Sequence, residues 1–199
     1  MLQDDGILRD KEPYMGPSYS PANRFFRLAW LIVWAVFFRF SPVPLHRWRL
    51  LLLRAFGARV SKEAYVYPST VIWAPWNLTM ERQATLGRGV NCYNPATIII
   101  GEQAVVSQGA HLCAASHDYN DPAFQLFAKP IRIGKKAWVA AESFIGPGVT
   151  VGDGAVVGAR AVLFTDAPEY TVWVGNPAVL KKTRPRVENQ TERRTRDAD

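Results

Sequence analysis

The chain has 199 residues, a length for one domain with appendages, and 48% of them are apolar, enough for a buried core. Its formal net charge of +7 is concentrated: seven arginines and no acid stand between Ser20 and Val60, so the remaining residues sum to zero. Those arginines are interleaved with Trp, Leu and Phe, which fits a membrane surface or a packed helical face and argues against nucleic acid as a partner. The two cysteines, Cys92 and Cys113, have no CxxC spacing and form no disulfide framework, as expected of a reducing cytoplasm. The first twenty residues carry Asp4, Asp5, Asp10 and Glu12 and no apolar run, so no signal peptide is expected.

Residues 1–19 read as a loose polar arm broken by Pro13, Gly16 and Pro17. Residues 20–58 form a Trp- and Arg-rich preface. Ser20-Pro21 is an N-cap followed by proline at the first helical position, and the run Phe25 to Phe40 continues that helix. Its uninterrupted apolar part, Leu28 to Phe38, is eleven residues long, whereas crossing a bilayer takes roughly 20. Trp30 and Trp34 sit one turn apart, as aromatic residues at a lipid interface do. Ser41-Pro42-Val43-Pro44 breaks the helix. A second helix is expected from Leu45 to Phe56, stopped by Gly57, with Leu45, Trp48, Leu51, Leu52 and Phe56 on one face. His46, alone at its start, reads as structural or solvated.

From Val60 a six-residue period takes over. The inward candidates are Val60, Val66, Ile72 and Leu78; the frame slips by two to Met80, Leu86 and Cys92, and by two again to Ile100, Val106 and Leu112. Cys92 falls in this series and so packs as a small apolar residue. The pattern stops at Asp118, residues 118–130 make an excursion, and the repeat resumes at Ile131-Arg132-Ile133. Its cleanest part is Ile133, Val139, Ile145, Val151, Val157 and Leu163, with Gly134, Gly146, Gly152 and Gly158 directly behind their aliphatic residue. Ala137, Ser143, Val149, Ala155 and Ala161 stand four positions after theirs. Neither a helix of period 3.6 nor a strand of period 2 predicts this, and hexapeptide repeats specify a parallel β-helix. The aliphatic residue should point inward, and glycine should supply a positive φ at the corner. The β-helix domain is placed at 59–184, although the sequence leaves the repeat after Leu163. Residues 185–199, charged and nearly free of apolar side chains, are expected to be disordered.

The histidines are His46, His111 and His117. His117 closes the segment SQGAHLCAASHDY just before the excursion. That segment, the repeat, the excursion and the closing VGNPAVLKK together resemble the hexapeptide acyltransferases, over roughly Ala22 to Arg184. The branch most similar acetylates sugars of bacterial exopolysaccharides, the colanic-acid type. The resemblance implies a left-handed β-helix with three repeats per triangular coil, a homotrimer, acetyl-CoA as co-substrate, and a sugar or lipid-linked saccharide as acceptor. It also makes His117 the general base that takes the proton of the attacking sugar hydroxyl, with a backbone N–H for the oxyanion.

In the family coenzyme A lies along small corner residues, matched here by Ala141 and Ala159, with its phosphates near the counterparts of Lys181, Lys182 and Arg184. Asn94 and Asp118 fall where the acceptor is held, and Asn94, at a two-residue slip, reads equally as a turn asparagine. Neighbours on a strand point to opposite faces, so a backbone carbonyl is a better partner for His117 than Asp118. A zinc site needs converging ligands; His111 and His117, six apart, would occupy successive prism faces, and no metal is expected. Membrane contact at the inner face would bring Arg24, Arg27, Arg39, Arg47, Arg49 and Arg54 near anionic headgroups. The rival reading is a catalytically silent scaffold that holds a membrane or a partner protein through the Trp/Arg helices.

Overall fold

An aliphatic residue at every sixth position can be buried only if the chain turns a corner in each repeat. In the computed structural model, which describes residues 19–186, it does so, and three faces of parallel strands stack into a β-helix. Face one holds Arg59–Val60, Leu78–Met80, Ile98–Ile100, Ile131–Ile133 and Thr150–Val151. Face two holds Tyr65–Val66, Thr85–Leu86, Val105–Val106, Trp138–Val139, Val156–Val157 and Thr171–Val174, then the antiparallel strand Val179–Thr183. Face three holds Val71–Ile72, Asn91–Tyr93, His111–Cys113, Phe144–Ile145 and Val162–Leu163. The expected inward residues are buried from Val60 to Leu163, Cys92 among them. The arm expected at 1–19 and the tail expected at 185–199 lie, apart from Tyr19, Pro185 and Arg186, outside the described residues.

Strand register explains the two slips in the period. Arg59 faces Thr79, Thr79 faces Ile99, Ile99 faces Arg132 and Arg132 faces Thr150, steps of 20, 20, 33 and 18 residues. Each longer coil carries its surplus at the corner leading from face three to face one. There a three-residue strand keeps two side chains inward: Leu78 with Met80, Ile98 with Ile100, Ile131 with Ile133. The helix also continues beyond Leu163. Ala167 bridges Val151, and Val172 and Trp173 pair with Val156 and Val157. That last coil steps by only 16 residues, because Ala167 follows Leu163 by four instead of six, and this break in phase hides it in the sequence.

The repeat glycines serve close approach rather than a positive φ. A Cβ on Gly134 would lie 2.7 Å from the backbone nitrogen of Asp153, and one on Gly152 would lie 2.6 Å from that of Glu169. The left-handed residue comes two positions later, and in successive repeats it is Lys136, Glu142, Gly148, Gly154 and Arg160.

The composition of the preface follows from the open end of the prism. Tyr65, Tyr67 and Val71 turn their N–H groups up to Ala84, Leu86 and Val90 of the second coil, and the alternate residues Val60, Val66 and Ile72 turn their carbonyls out of the open end, where no described strand meets them. The preface supplies their donors. Helix α1, Pro21–Val33, is capped by Ser20 Oγ on Asn23 N (3.2 Å) and runs into a π-helical turn, Trp34–Phe38; α2 spans His46–Ala55. Trp30 Nε1 donates to Ile72 O (2.6 Å), Trp34 Nε1 to Thr70 O (2.9 Å), and Arg49 Nε to Val66 O (2.6 Å). Arg54 donates to Val60 O through Nε and Nη2 (3.0 and 2.7 Å). Trp and Arg side chains donate and do not accept, whereas a carboxylate could only accept. Arg49 is fully buried and also holds Ser41 Oγ, Pro42 O and Val43 O, so it cannot face headgroups as its place in the arginine series implied. The same demand rotates α2: Arg49, Leu50 and Leu53 are its buried residues, while Leu45, Trp48 and Leu51 from the apolar face stay exposed. Among the described residues no helix is long and apolar enough to cross a membrane.

Candidate active site

The excursion leaves the prism at the corner between faces three and one. Ala115–His117 pairs antiparallel with Leu126–Ala128, so the hairpin takes in His117 itself and starts ahead of Asp118. His117 is therefore not on the next prism face, where its spacing from His111 would put it. The loop between the two strands is closed by its own carboxylates: Asp118 Oδ1 accepts from Asn120 N (2.9 Å) and Asp121 Oδ1 from Ala123 N (2.8 Å).

Phe124 then takes a left-handed conformation, φ 48°, uncommon for a bulky residue. It meets His117 twice. His117 Nδ1 lies 2.8 Å from Phe124 O, and the two rings stack with centroids 4.4 Å apart and planes 10° from parallel. A carbonyl only accepts, so Nδ1 of the neutral imidazole carries the hydrogen and Nε2 presents its lone pair on an exposed side chain. A backbone carbonyl thus orients His117, in line with the argument against Asp118. Phe124 was not found from the sequence, because neither its type nor its spacing announces a left-handed backbone.

Ala141 and Ala159 stack at the corner between faces two and three, where Arg160 N donates to Ala141 O (2.9 Å). Lys181 and Lys182 are exposed on the closing strand of face two, and a β-bulge against Val172 and Trp173 leaves Lys181 as the extra residue. Arg184 lies at the opposite edge of that face, its Nη1 donating to Gly154 O (3.1 Å). Asp118 is exposed beside His117. Asn94 does not fit its expected role at the acceptor: it is fully buried, with Nδ2 donating to Ala74 O (2.7 Å) and Oδ1 accepting from Ala74 N (2.9 Å). It pairs backbone across one of the enlarged corners, out of reach of a dissolved sugar. One chain therefore places His117 at one prism edge and the alanine column at another, with face three between them.

The other two histidines and Cys92 sit in packed surroundings. His46 Nδ1 lies 3.0 Å from Val66 O, and its ring meets Tyr65 and Tyr67 edge-on. His111 faces outward from face three, edge-on to Phe144 at 5.2 Å, and burial lowers its pKa. Burial pushes the Cys92 thiol up to about 12, which removes it as a nucleophile. Among the described residues no three His, Cys, Asp or Glu side chains come together as a metal site.

A prism of hexapeptide coils with an oriented histidine on a hairpin at its edge defines an acyltransferase of the hexapeptide class. The family model of the bacterial transferase hexapeptide, six repeats, matches residues 130–165. Over 155 residues the chain is 46% identical to a protein of Escherichia coli (strain K12) named as a colanic acid biosynthesis acetyltransferase, WcaF, across 78% of this chain and 85% of that one. The maltose O-acetyltransferase of Clostridium difficile 630 has a TM-score of 0.74 at 22% identity, covering 83% and 90% of the two chains. The hexapeptide-repeat acetyltransferase VCA0836 of Vibrio cholerae O1 biovar eltor, solved with acetyl coenzyme A, has a TM-score of 0.74 at 23% identity, covering 84% and 91%. At those identities the two structures speak for the fold. The chain belongs to the hexapeptide-repeat acetyltransferase family.

Proposed function

We propose that the protein moves the acetyl group of acetyl-CoA to a sugar hydroxyl in exopolysaccharide or glycoconjugate assembly, working as a homotrimer on a free or lipid-linked saccharide. The observation that carries this reading is His117, exposed, with Nδ1 occupied by Phe124 O and Nε2 left to act. A sugar hydroxyl is a weak nucleophile at neutral pH. His117 Nε2 takes its proton as the oxygen attacks the thioester carbonyl carbon; the C–S bond breaks, and the imidazolium returns the proton to sulfur, giving the acetyl ester and free CoA thiol. Asp118, exposed next to His117, is placed to meet the acceptor.

The residues present suit coenzyme A. Two alanine-sized corners in one column leave room for a pantetheine arm, and Lys181 and Lys182 lie exposed on the closing strand for the phosphates. Arg184 is the weaker of the three basic residues for that task, since its guanidinium is held at the other edge. The separation of His117 from the alanine column supports a trimer, in which the base of one copy would face the column of the next.

Two expected results follow. His117→Ala and Ala159→Trp should each lose at least about 10²-fold in turnover alone, the second because an indole fills the path of the arm. Co-expressed and purified as mixed oligomers, they should recover a fraction of wild-type turnover, because some sites then combine an intact His117 with an intact Ala159. No recovery would place the whole site within one chain. Phe124→Ala keeps the carbonyl but removes the stacked ring, and should lower kcat about tenfold with KM for acetyl-CoA unchanged, by loosening the base. Phe124→Tyr should restore it. A loss confined to KM would assign Phe124 to substrate binding instead.

A further inference from the structure

The preface buries one stripe of α1 and its π-helical turn, Trp30 and Phe38, and no described residue covers the opposite stripe. Phe25 (70% exposed), Leu28, Ile32, Val36 and Phe40 (78%) follow one another at steps of three or four residues. The exposed face of α2, with Leu45, Trp48 and Leu51, extends this surface; Trp48 Nε1 donates to Phe37 O (3.0 Å) and joins the two elements. An apolar area of this extent is not left open to water without a use.

Its charged surroundings indicate what covers it. Arg49 and Arg54 are spent on carbonyls of the first coil, and Arg27 lies over the Trp73 ring at 4.3 Å. Arg24, Arg39 and Arg47 are exposed and take no part in that capping, and the sequence offers no acid from Ser20 to Val60 to answer them. We infer that this face docks on an anionic lipid bilayer, with the Phe25–Phe40 stripe in the interfacial layer and Arg24, Arg39 and Arg47 toward acidic headgroups. A second copy of the same face would set arginine against arginine with no acid between them. An anionic bilayer satisfies both the apolar stripe and its basic rim.

Docking also puts the open, preface-capped end of the prism nearest the membrane. An apolar cleft of about 540 Å³, lined in part by Phe26, Phe56 and Trp76, opens between the preface and the Pro75–Asn77 turn. That turn belongs to the same edge as the His117 hairpin, which lies two strand spacings, about 10 Å, further up the axis. A saccharide carried on a membrane lipid would thus meet His117 close to the headgroups. This consequence rests on the acetyl-transfer reading, whereas the docking does not.

The test is flotation of the full-length protein with phosphatidylcholine vesicles, with and without phosphatidylglycerol. The protein should float only with the anionic vesicles, and raised salt should release it. Arg24, Arg39 and Arg47→Gln together should weaken partitioning on the order of 100-fold. Phe25, Ile32 and Val36→Ser together should abolish it. Both variants should keep wild-type circular dichroism and wild-type turnover of acetyl-CoA with a soluble acceptor, which separates loss of docking from loss of fold or of activity. No flotation with either vesicle, or equal flotation with both, would overturn the proposal. So would a fall in oligomer size in the serine variant, which would mean that a second copy covers the face.

Discussion

Replacing His117 with alanine should lower turnover about 10²–10⁴-fold, the range contributed by a positioned general base. The fold should survive the change. His117 is exposed on a hairpin that is held by its own backbone ladder and by the Asp118 and Asp121 turns, and the prism core does not include it. Circular dichroism and sedimentation of the variant should therefore match the wild type while CoA release falls. Turnover within a few-fold of wild type would remove His117 from the mechanism.

Arg49→Met should have the largest effect on stability. The methionine roughly fills the space but cannot donate, so Val66 O loses the guanidinium in a buried place, and Pro42 O and Val43 O lose it in half-buried ones. Each such loss costs on the order of 1–3 kcal/mol. A total of about 3 kcal/mol would lower Tm by roughly 6–12 °C for a domain of this size. Arg47→Met, two positions away and exposed, should change stability by no more than about 0.5 kcal/mol. Thermal melts of the two variants check both values. Equal melting temperatures would mean that the carbonyls of the first coil find donors elsewhere.

The prism was legible because its physics is periodic: an inward side chain every six residues and a glycine wherever the next coil crowds the corner. The slips at Leu78–Met80 and Ile98–Ile100 were visible as well, and the structure shows them to be three-residue strands with two inward side chains. The role of the glycines was not legible, since a need for positive φ and a backbone 2.7 Å away leave the same letter in the sequence. The preface was read only in part. Trp30, Trp34, Arg49 and Arg54 carry the composition of an interfacial helix, yet they point at carbonyls that exist only once the first coil has formed. At the site, His117 stood out by its segment. Asn94 was misplaced because an amide that pairs backbone and an amide that binds a sugar are the same residue type; only burial tells them apart. Phe124 was invisible because neither a left-handed backbone nor a ring stacked across the hairpin leaves a spacing in the sequence.

The most direct test of the central claim is an acetyl-CoA turnover assay with a panel of saccharide acceptors, read by thiol release and by mass spectrometry of the product. The account predicts CoA release that depends on the acceptor, is lost in His117→Ala, and yields a saccharide carrying one acetyl group removable by mild base, as an ester is. Release independent of any acceptor, a base-stable N-acetyl product, or no release with any saccharide would contradict it.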